Sequence, residues 1–465
     1  MTARKIFESL RAYETRNVTF IEPDGSWPIV WERARGVHVW DVQGKKYLDL
    51  TAAFGVAAAG HANPRVVKAG KKQMGKLLHA MGDVHPHPLK AQLARELSRI
   101  TFERWAAKQS KVLRLKSKVA ATAKTIFCNS GFEAVEAALK TAMLATGKPG
   151  VIAFAGAYHG VGYGALNATH REHFRSPFRR QLREFAQFVP FPRAESDSSF
   201  HPKISSRRSK GLELHSGLDE VELEIRKIFR RERIGAILVE PIQVRGGINI
   251  PPFEFLPRLR SLCDQHQALL ILDEIYTGFG RTGKWFACEH RQVVPDLICL
   301  GKAITGGFPL SACVGRAEMM DAAWPPSSGE AIHTSTFLGH PVGCAMALAQ
   351  INEITTKKLV QRSADLGEFL LAALQSLHPR VMNLKLSTRV LGLLAGVELR
   401  LADGSPATSR ALGAIKTMLH CGFILLPEGE YSNVISFTPP LTISADQLAR
   451  TVEALGEILA ADGRR

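Results

Sequence analysis

The sequence lacks most of the features that would take it out of the class of soluble globular proteins. It has no run of about 18 or more apolar residues, the length a membrane-spanning helix requires. Its first residues, MTARKIFESLRAYETRN, are charged throughout and lack the apolar stretch of a secretory signal, so none is expected. Seven cysteines stand singly, at Cys128, Cys263, Cys288, Cys299, Cys313, Cys344 and Cys421, with no C-x-x-C spacing. A structural zinc site is therefore not expected, and a reduced, cytoplasmic setting fits best. No internal repeat of about 20 to 50 residues is visible, which excludes a solenoid or propeller.

What the chain has in excess is positive charge. The formal net charge is +17, and the basic residues concentrate between Lys108 and Lys124, between Arg171 and Arg183, and between Lys203 and Lys210. Such a balance raises the question of nucleic acid. None of the three stretches interleaves aromatics as a base-stacking platform would, so a nucleic-acid partner is not expected. A solvated basic surface, partly serving an anionic cofactor and acidic substrates, accounts for the charge.

The apolar share, 45% over 465 residues, is enough for a large core and more than one unit. GVHVWDVQGKKYLDL (36–50) alternates around a QGKK turn and predicts a β-hairpin. Helical periodicity dominates 63–100. From there, short apolar runs alternate with helical ones. TIFCNSG (125–131), VIAFAGAYHG (151–160), IGAILVEP (234–241), ALLILDE (268–274) and DLICLGK (296–302) read as strands. FEAVEAALKTAMLATG (132–147) and LPRLRSLCDQHQ read as helices, the first capped by Gly147. Apolar strands alternating with helices predict an α/β fold around a mostly parallel sheet covered on both faces. After about residue 338 a long alanine-rich helix leads into a smaller α+β unit. The stretches 106–124 and 193–217 read as insertions.

In doubly wound sheets, ligands collect beyond the carboxyl ends of the strands. There the sequence places Ser130-Gly131-Phe132, Tyr158-His159-Gly160, Glu240 with Gln243, Asp273-Glu274, and Lys302. Each has an ordinary reading beside a chemical one. A desolvated Lys302 loses its charge readily and becomes a nucleophile, or it snorkels to the surface. Asp273 holds a cation or caps a turn. Ser130 and the backbone after it cradle a phosphate, or form a capping box with Glu133. Tyr158 lies on a planar ring or fills the core.

Taken in order, these residues and their surroundings resemble the class III pyridoxal-phosphate (PLP) aminotransferases, the ornithine, acetylornithine and 4-aminobutyrate aminotransferase group. The matching stretches are VWDVQGKKYLDL with GHANP, CNSGFEAVEAALK, FAGAYHG, EPIQ, LDEIYTGFGRTG, PDLICLGKAITGGFPL and HTSTFLGHPVGCAMALA, spread over about residues 16 to 460. The resemblance implies a fold type I PLP enzyme: a large domain at 61–337 with a seven-stranded sheet, and a small α+β domain at 338–465 to which residues 1–60 contribute. It implies a homodimer with shared active sites. It makes Lys302 the Schiff-base lysine, Asp273 the partner of the pyridinium nitrogen, Ile275 the residue under the ring and Tyr158 the one over it. Ser130, Gly131 and Phe132 would bind the phosphate, and Thr336 would reach the neighbouring subunit's cofactor. Glu240 and Gln243 would sit near the ring hydroxyl, and Arg389 would grip a substrate carboxylate. The implied reaction is ping-pong transfer from an ω-amine or amino-acid donor to a 2-oxo acid, with Lys302 moving the proton. A decarboxylase or aminomutase of the same fold is the alternative.

The pattern departs from the family at several places. Where many relatives read EPVQGEGG this chain reads EPIQVRGG, so Arg245 stands in place of an acid that can shield the substrate arginine. Arg245 either adds a carboxylate contact, displaces Arg389 from that role, or points to solvent. Tyr276 stands where glutamine is common, His340 where asparagine is, and Phe132 where a small residue is.

Overall fold

Strands whose residues are apolar on both faces set the centre of the molecule. Every residue of Ile234–Val239 and of Leu297–Leu300 is buried, and between them lies Leu269–Asp273, hydrogen-bonded in parallel to both. The computed structural model describes residues 1–112, 122–193, 216–381 and 383–461. Its main sheet has seven strands in the order 123–128, 311–316, 297–300, 269–273, 234–239, 150–154, 186–189. Four of the six pairings are parallel; Ser311–Arg316 runs antiparallel to both neighbours. Helices cover the two faces. Gly131–Thr146 buries Ala134, Ala137, Ala138 and Ala142 against the sheet, small side chains that let helix and sheet approach closely, and it ends where Gly147 turns left-handed at φ 62°.

Two four-stranded sheets flank this centre. The expected hairpin forms as His38–Asp41 against Lys46–Asp49, and the second strand pairs in parallel with Phe423–Ile424. Residues near the start of the chain thus share a sheet with residues near its end. The other sheet, in the order 385–391, 394–400, 434–437, 426–428, is wholly antiparallel. Between the main sheet and these strands run helices Pro341–Thr356 and Leu359–Gln375. Among the described residues no helix is long and apolar enough to cross a membrane. Most of the two insertions read from sequence, at 113–121 and 194–215, lies outside the described residues.

The sheet's parallelism is what positions the site. Strands that run the same way present their carboxyl ends, and the turns that follow them, along one edge.

Candidate active site

Along that edge lies a cavity of about 270 Å³, and Lys302 lines it with Asp273, Glu240, Tyr158, Ile275 and Arg245. Lys302 follows Leu297–Leu300 after one glycine and opens the short turn Lys302–Ile304 with φ 42°. A left-handed backbone at a lysine costs about 1–3 kcal/mol and persists where surrounding structure demands it, most often at functional sites. The amine lies 4.4 Å from the centroid of the Tyr276 ring. Burial lowers its pKa below the usual lysine range, although Asp273 and Glu240 pull the other way. A neutral amine is thereby brought nearer to working pH.

Asp273 ends its strand with its carboxylate fixed from two sides. Its Oδ2 is 2.8 Å from Nδ1 of His159, and its Oδ1 accepts the backbone N–H of Ile275 at 3.1 Å. Both Asp273 and His159 are buried. Glu274, next in sequence, faces elsewhere. It accepts from the backbone of Ala287 and Cys288 and from the Thr277 hydroxyl, which makes it a clamp on the 287–290 turn rather than part of the cavity.

Glu240 accepts N–H groups from Tyr158 and Val244, at 3.0 and 3.4 Å. Its burial still outweighs these and the nearby His159, and pushes its carboxyl up to about 7. The phosphate-loop residues are shaped by close contacts. A Cβ on Gly131 would stand 3.1 Å from Ile275 Cδ1. Phe132 fits because Gly160 and Gly162 leave room: a Cβ on either would come within 2.4 Å of the Phe132 side chain. Glu133 accepts the backbone N–H of Asn129 and of Ser130, in the arrangement of the expected capping box, while the buried Ser130 Oγ has no hydrogen-bond partner among the described residues. A buried hydroxyl free to donate, beside the backbone N–H groups of a helix N-terminus, suits an anion.

Arg245 turns into the cavity rather than to solvent. Its Nη1 donates to Glu428 Oε2 at 3.0 Å, and its guanidinium carbon lies 5.9 Å from the Tyr158 ring centroid. Arg389 is placed differently. It does not line the cavity; Nη2 donates to Glu398 at 2.8 Å and Nη1 reaches Asn249 at 3.5 Å, with Arg400 on the same Glu398. Both Arg389 and Glu398 lie in the hairpin 385–400, directly facing strands of one sheet, so their pairing is a local one. Gln243 is likewise occupied outside the cavity lining: its amide donates to Ala155 O at 2.8 Å and accepts from Asn249 at 3.2 Å. Thr336 is exposed and also outside the lining. His159 and Glu428 received no role from sequence. In sequence His159 sits beside Tyr158, whose aromatic ring is the stronger signal of that stretch. Glu428, a charge closing the apolar run FILLP, was a visible signal.

A sequence model of the family described as Aminotransferase class-III matches residues 21–459. The chain is 36% identical to a 5-aminovalerate aminotransferase of Pseudomonas aeruginosa over 92% of its own length and 93% of the relative's. It is 36% identical to a putrescine aminotransferase of Pectobacterium atrosepticum, over 94% and 83%. Among solved structures, an amine transaminase from an uncultivated Pseudomonas species, in its PLP-bound form, superposes with a TM-score of 0.81 at 27% identity, covering 97% of this chain and 98% of the other. The sequence match across nearly the whole chain, on a fold that brings Lys302, Asp273 and Glu240 to one cavity, makes this protein a member of the class III aminotransferases.

Proposed function

We propose that this aminotransferase takes an ω-amine or amino-acid donor and a 2-oxo acid acceptor, and that Arg245 binds the carboxylate of its acidic substrates. The cofactor of the enzyme is pyridoxal phosphate. The residues present fit it: Ser130 Oγ is buried and unpartnered, Gly131 leaves space above Ile275, and Asp273 stands fixed at the cavity wall. In this reading Lys302 holds the cofactor through its amine, and Ser130, Gly131 and Phe132 receive the phosphate at the start of helix 131–146. Asp273 would hold the ring nitrogen's positive charge, Ile275 and Tyr158 would bound the ring, and Glu240 would serve its polar edge. Bound there, the cofactor supplies an electron sink for the charge left on the substrate carbon when its proton departs.

The chain's own groups do the rest. Lys302, its pKa lowered by burial, would accept the proton from the substrate carbon once the substrate amine has displaced its own amine from the cofactor. His159 keeps Asp273 oriented at the cavity wall. Arg245, the one guanidinium lining the cavity among the described residues, supplies the fixed positive charge a carboxylate needs. That placement, against the enclosure of Arg389 by Glu398, is the observation that carries the assignment. The exposed position of Thr336 supports its service to a second subunit in a homodimer. Six buried free cysteines support a reducing, cytoplasmic setting.

The reading is tested by steady-state kinetics on Arg245→Ala. A rise in KM for acidic donors and acceptors is expected; unchanged constants for every acidic substrate would sink it. A panel of amines mixed with the PLP-loaded enzyme, followed by absorbance, then identifies the donor.

A further inference from the structure

Glu428 stands directly behind Arg245, and two links hold it there. The side chains meet at 3.0 Å, and the Gly429 N–H donates to Arg245 O at 3.2 Å. The loop at 245–247 lies flat on this turn: a Cβ on Gly247 would stand 3.3 Å from Gly429 Cα. Glu428 is not part of the cavity lining, and its side chain is 1% exposed against 29% for that of Arg245. Burial raises its pKa, while Arg245, Arg171 and Lys302 oppose that rise. The guanidinium thus presents one face to an acid of the protein and another to the cavity. Its Nε and Nη2 donate to nothing among the described residues.

A cavity with a bare arginine would repel amines that lack a carboxylate and could not serve both halves of a transamination equally. With Glu428 behind it, Arg245 is neutralised until a substrate carboxylate competes for it. Resting on the reading that Arg245 binds substrate carboxylates, we propose that Glu428 is a specificity-determining residue that balances the charge of Arg245, so that one cavity accepts both carboxylate-bearing substrates and amines without a carboxylate. It acts through Arg245 and does not itself touch the substrate.

The experiment uses the PLP-loaded enzyme and a matched donor pair, 5-aminopentanoate and 1-aminopentane, which differ only in the carboxylate. The concentration dependence of the single-turnover absorbance change gives an apparent Kd for each. In Glu428→Gln the Kd of 5-aminopentanoate is expected to fall about fivefold, the size of losing one competing, partly exposed charge pair, while that of 1-aminopentane rises. Glu428→Asp, which keeps the charge, is expected to restore the wild-type order. Constants that both shift in one direction, or do not move, in a Glu428→Gln protein that keeps its melting temperature would overturn the proposal. So would a Glu428→Asp protein that behaves as the Gln variant does. Arg245→Gln separates the two claims. If it weakens 5-aminopentanoate alone, Arg245 binds the carboxylate and any failure at Glu428 concerns the balance only. If it changes neither donor, both claims fall.

Discussion

His159 Nδ1 lies 2.8 Å from Asp273 Oδ2, with both side chains buried and the other imidazole nitrogen unpartnered. The Thr169 hydroxyl accepts the His159 backbone N–H at 2.9 Å, so the ring cannot drift from the carboxylate. A buried carboxylate that must face a cationic ligand needs such a holder, because its orientation decides how well the charge is met. His159→Leu removes the contact without adding volume in the cavity. Hydrogen bonds to charged groups contribute about 1.5–3 kcal/mol, so PLP is expected to bind about ten- to a hundredfold more weakly. Equilibrium dialysis of the cofactor measures this, and wild-type affinity would remove His159 from the site.

Glu240 gives a pH dependence with a definite sign. Its carboxyl is raised by burial to about 7, above the ordinary value near 4.5, so the native protein binds the extra proton. The group therefore costs nothing below about pH 4.5 and destabilises the cofactor-free protein progressively as pH rises to about 7. Glu240→Gln removes that cost. The stability of the variant relative to wild type is expected to increase between pH 5 and 8 by up to about 3 kcal/mol, from the size of the shift. Urea unfolding at the two pH values reads it; a difference independent of pH contradicts the assignment. Glu274, raised to about 7 by the same cause, remains in both proteins and cancels.

The parts of this molecule that were legible in sequence are those where pattern and position coincide. The apolar strands ending at Val239, Asp273 and Leu300 could be read directly, and so could the chemistry placed just beyond them, because a parallel sheet leaves its strand ends together. Ser311–Arg316 was not read: SACVGR follows a glycine-rich turn, mixes small and polar residues, and runs against its neighbours. The partners of the two arginines were beyond the sequence for a different reason. Arg389 meets Glu398 through a hairpin register, and Arg245 meets Glu428 across 183 positions of chain, so neither pairing follows from local spacing. The resemblance implies a substrate role for Arg389 and the departure at EPIQVRGG raises one for Arg245; among the described residues Arg245 lines the cavity and Arg389 does not.

The proposed homodimer, with Thr336 serving the partner's site, makes its own prediction. Lys302→Ala lacks the amine of its own site, and Thr336→Asp places a negative charge where the partner's phosphate is expected. Each alone should be nearly inactive. Mixed after reversible dissociation, they form hybrid dimers in which one of the two sites is intact, and activity should recover to about a quarter of wild type by statistical pairing. Recovery absent from a mixture shown to contain hybrids would mean that Thr336 does not act across subunits.

Phe132 is tolerated only because glycine faces it, and this coupling is measurable. A Cβ on Gly162 would lie 2.4 Å from Phe132 Cδ2 and 2.7 Å from Cε2, while the backbone there, at φ −65°, suits any residue. The cost of Gly162→Ala is thus steric rather than conformational. The Phe132 ring cannot retreat freely, since its Cβ is also packed against Gly160. Overpacking of this kind costs about 1–3 kcal/mol. Phe132→Ala removes the ring and with it the clash, so the double variant Phe132→Ala/Gly162→Ala should be more stable than the sum of the two single effects. The coupling energy expected is about 1 kcal/mol or more in favour of the double variant, within the range for residues in contact. Additive effects in thermal or urea unfolding would mean that the loop yields to the methyl group. Non-additivity would establish that Phe132 and its facing glycines form one unit, with the larger side chain held in place at the start of helix 131–146.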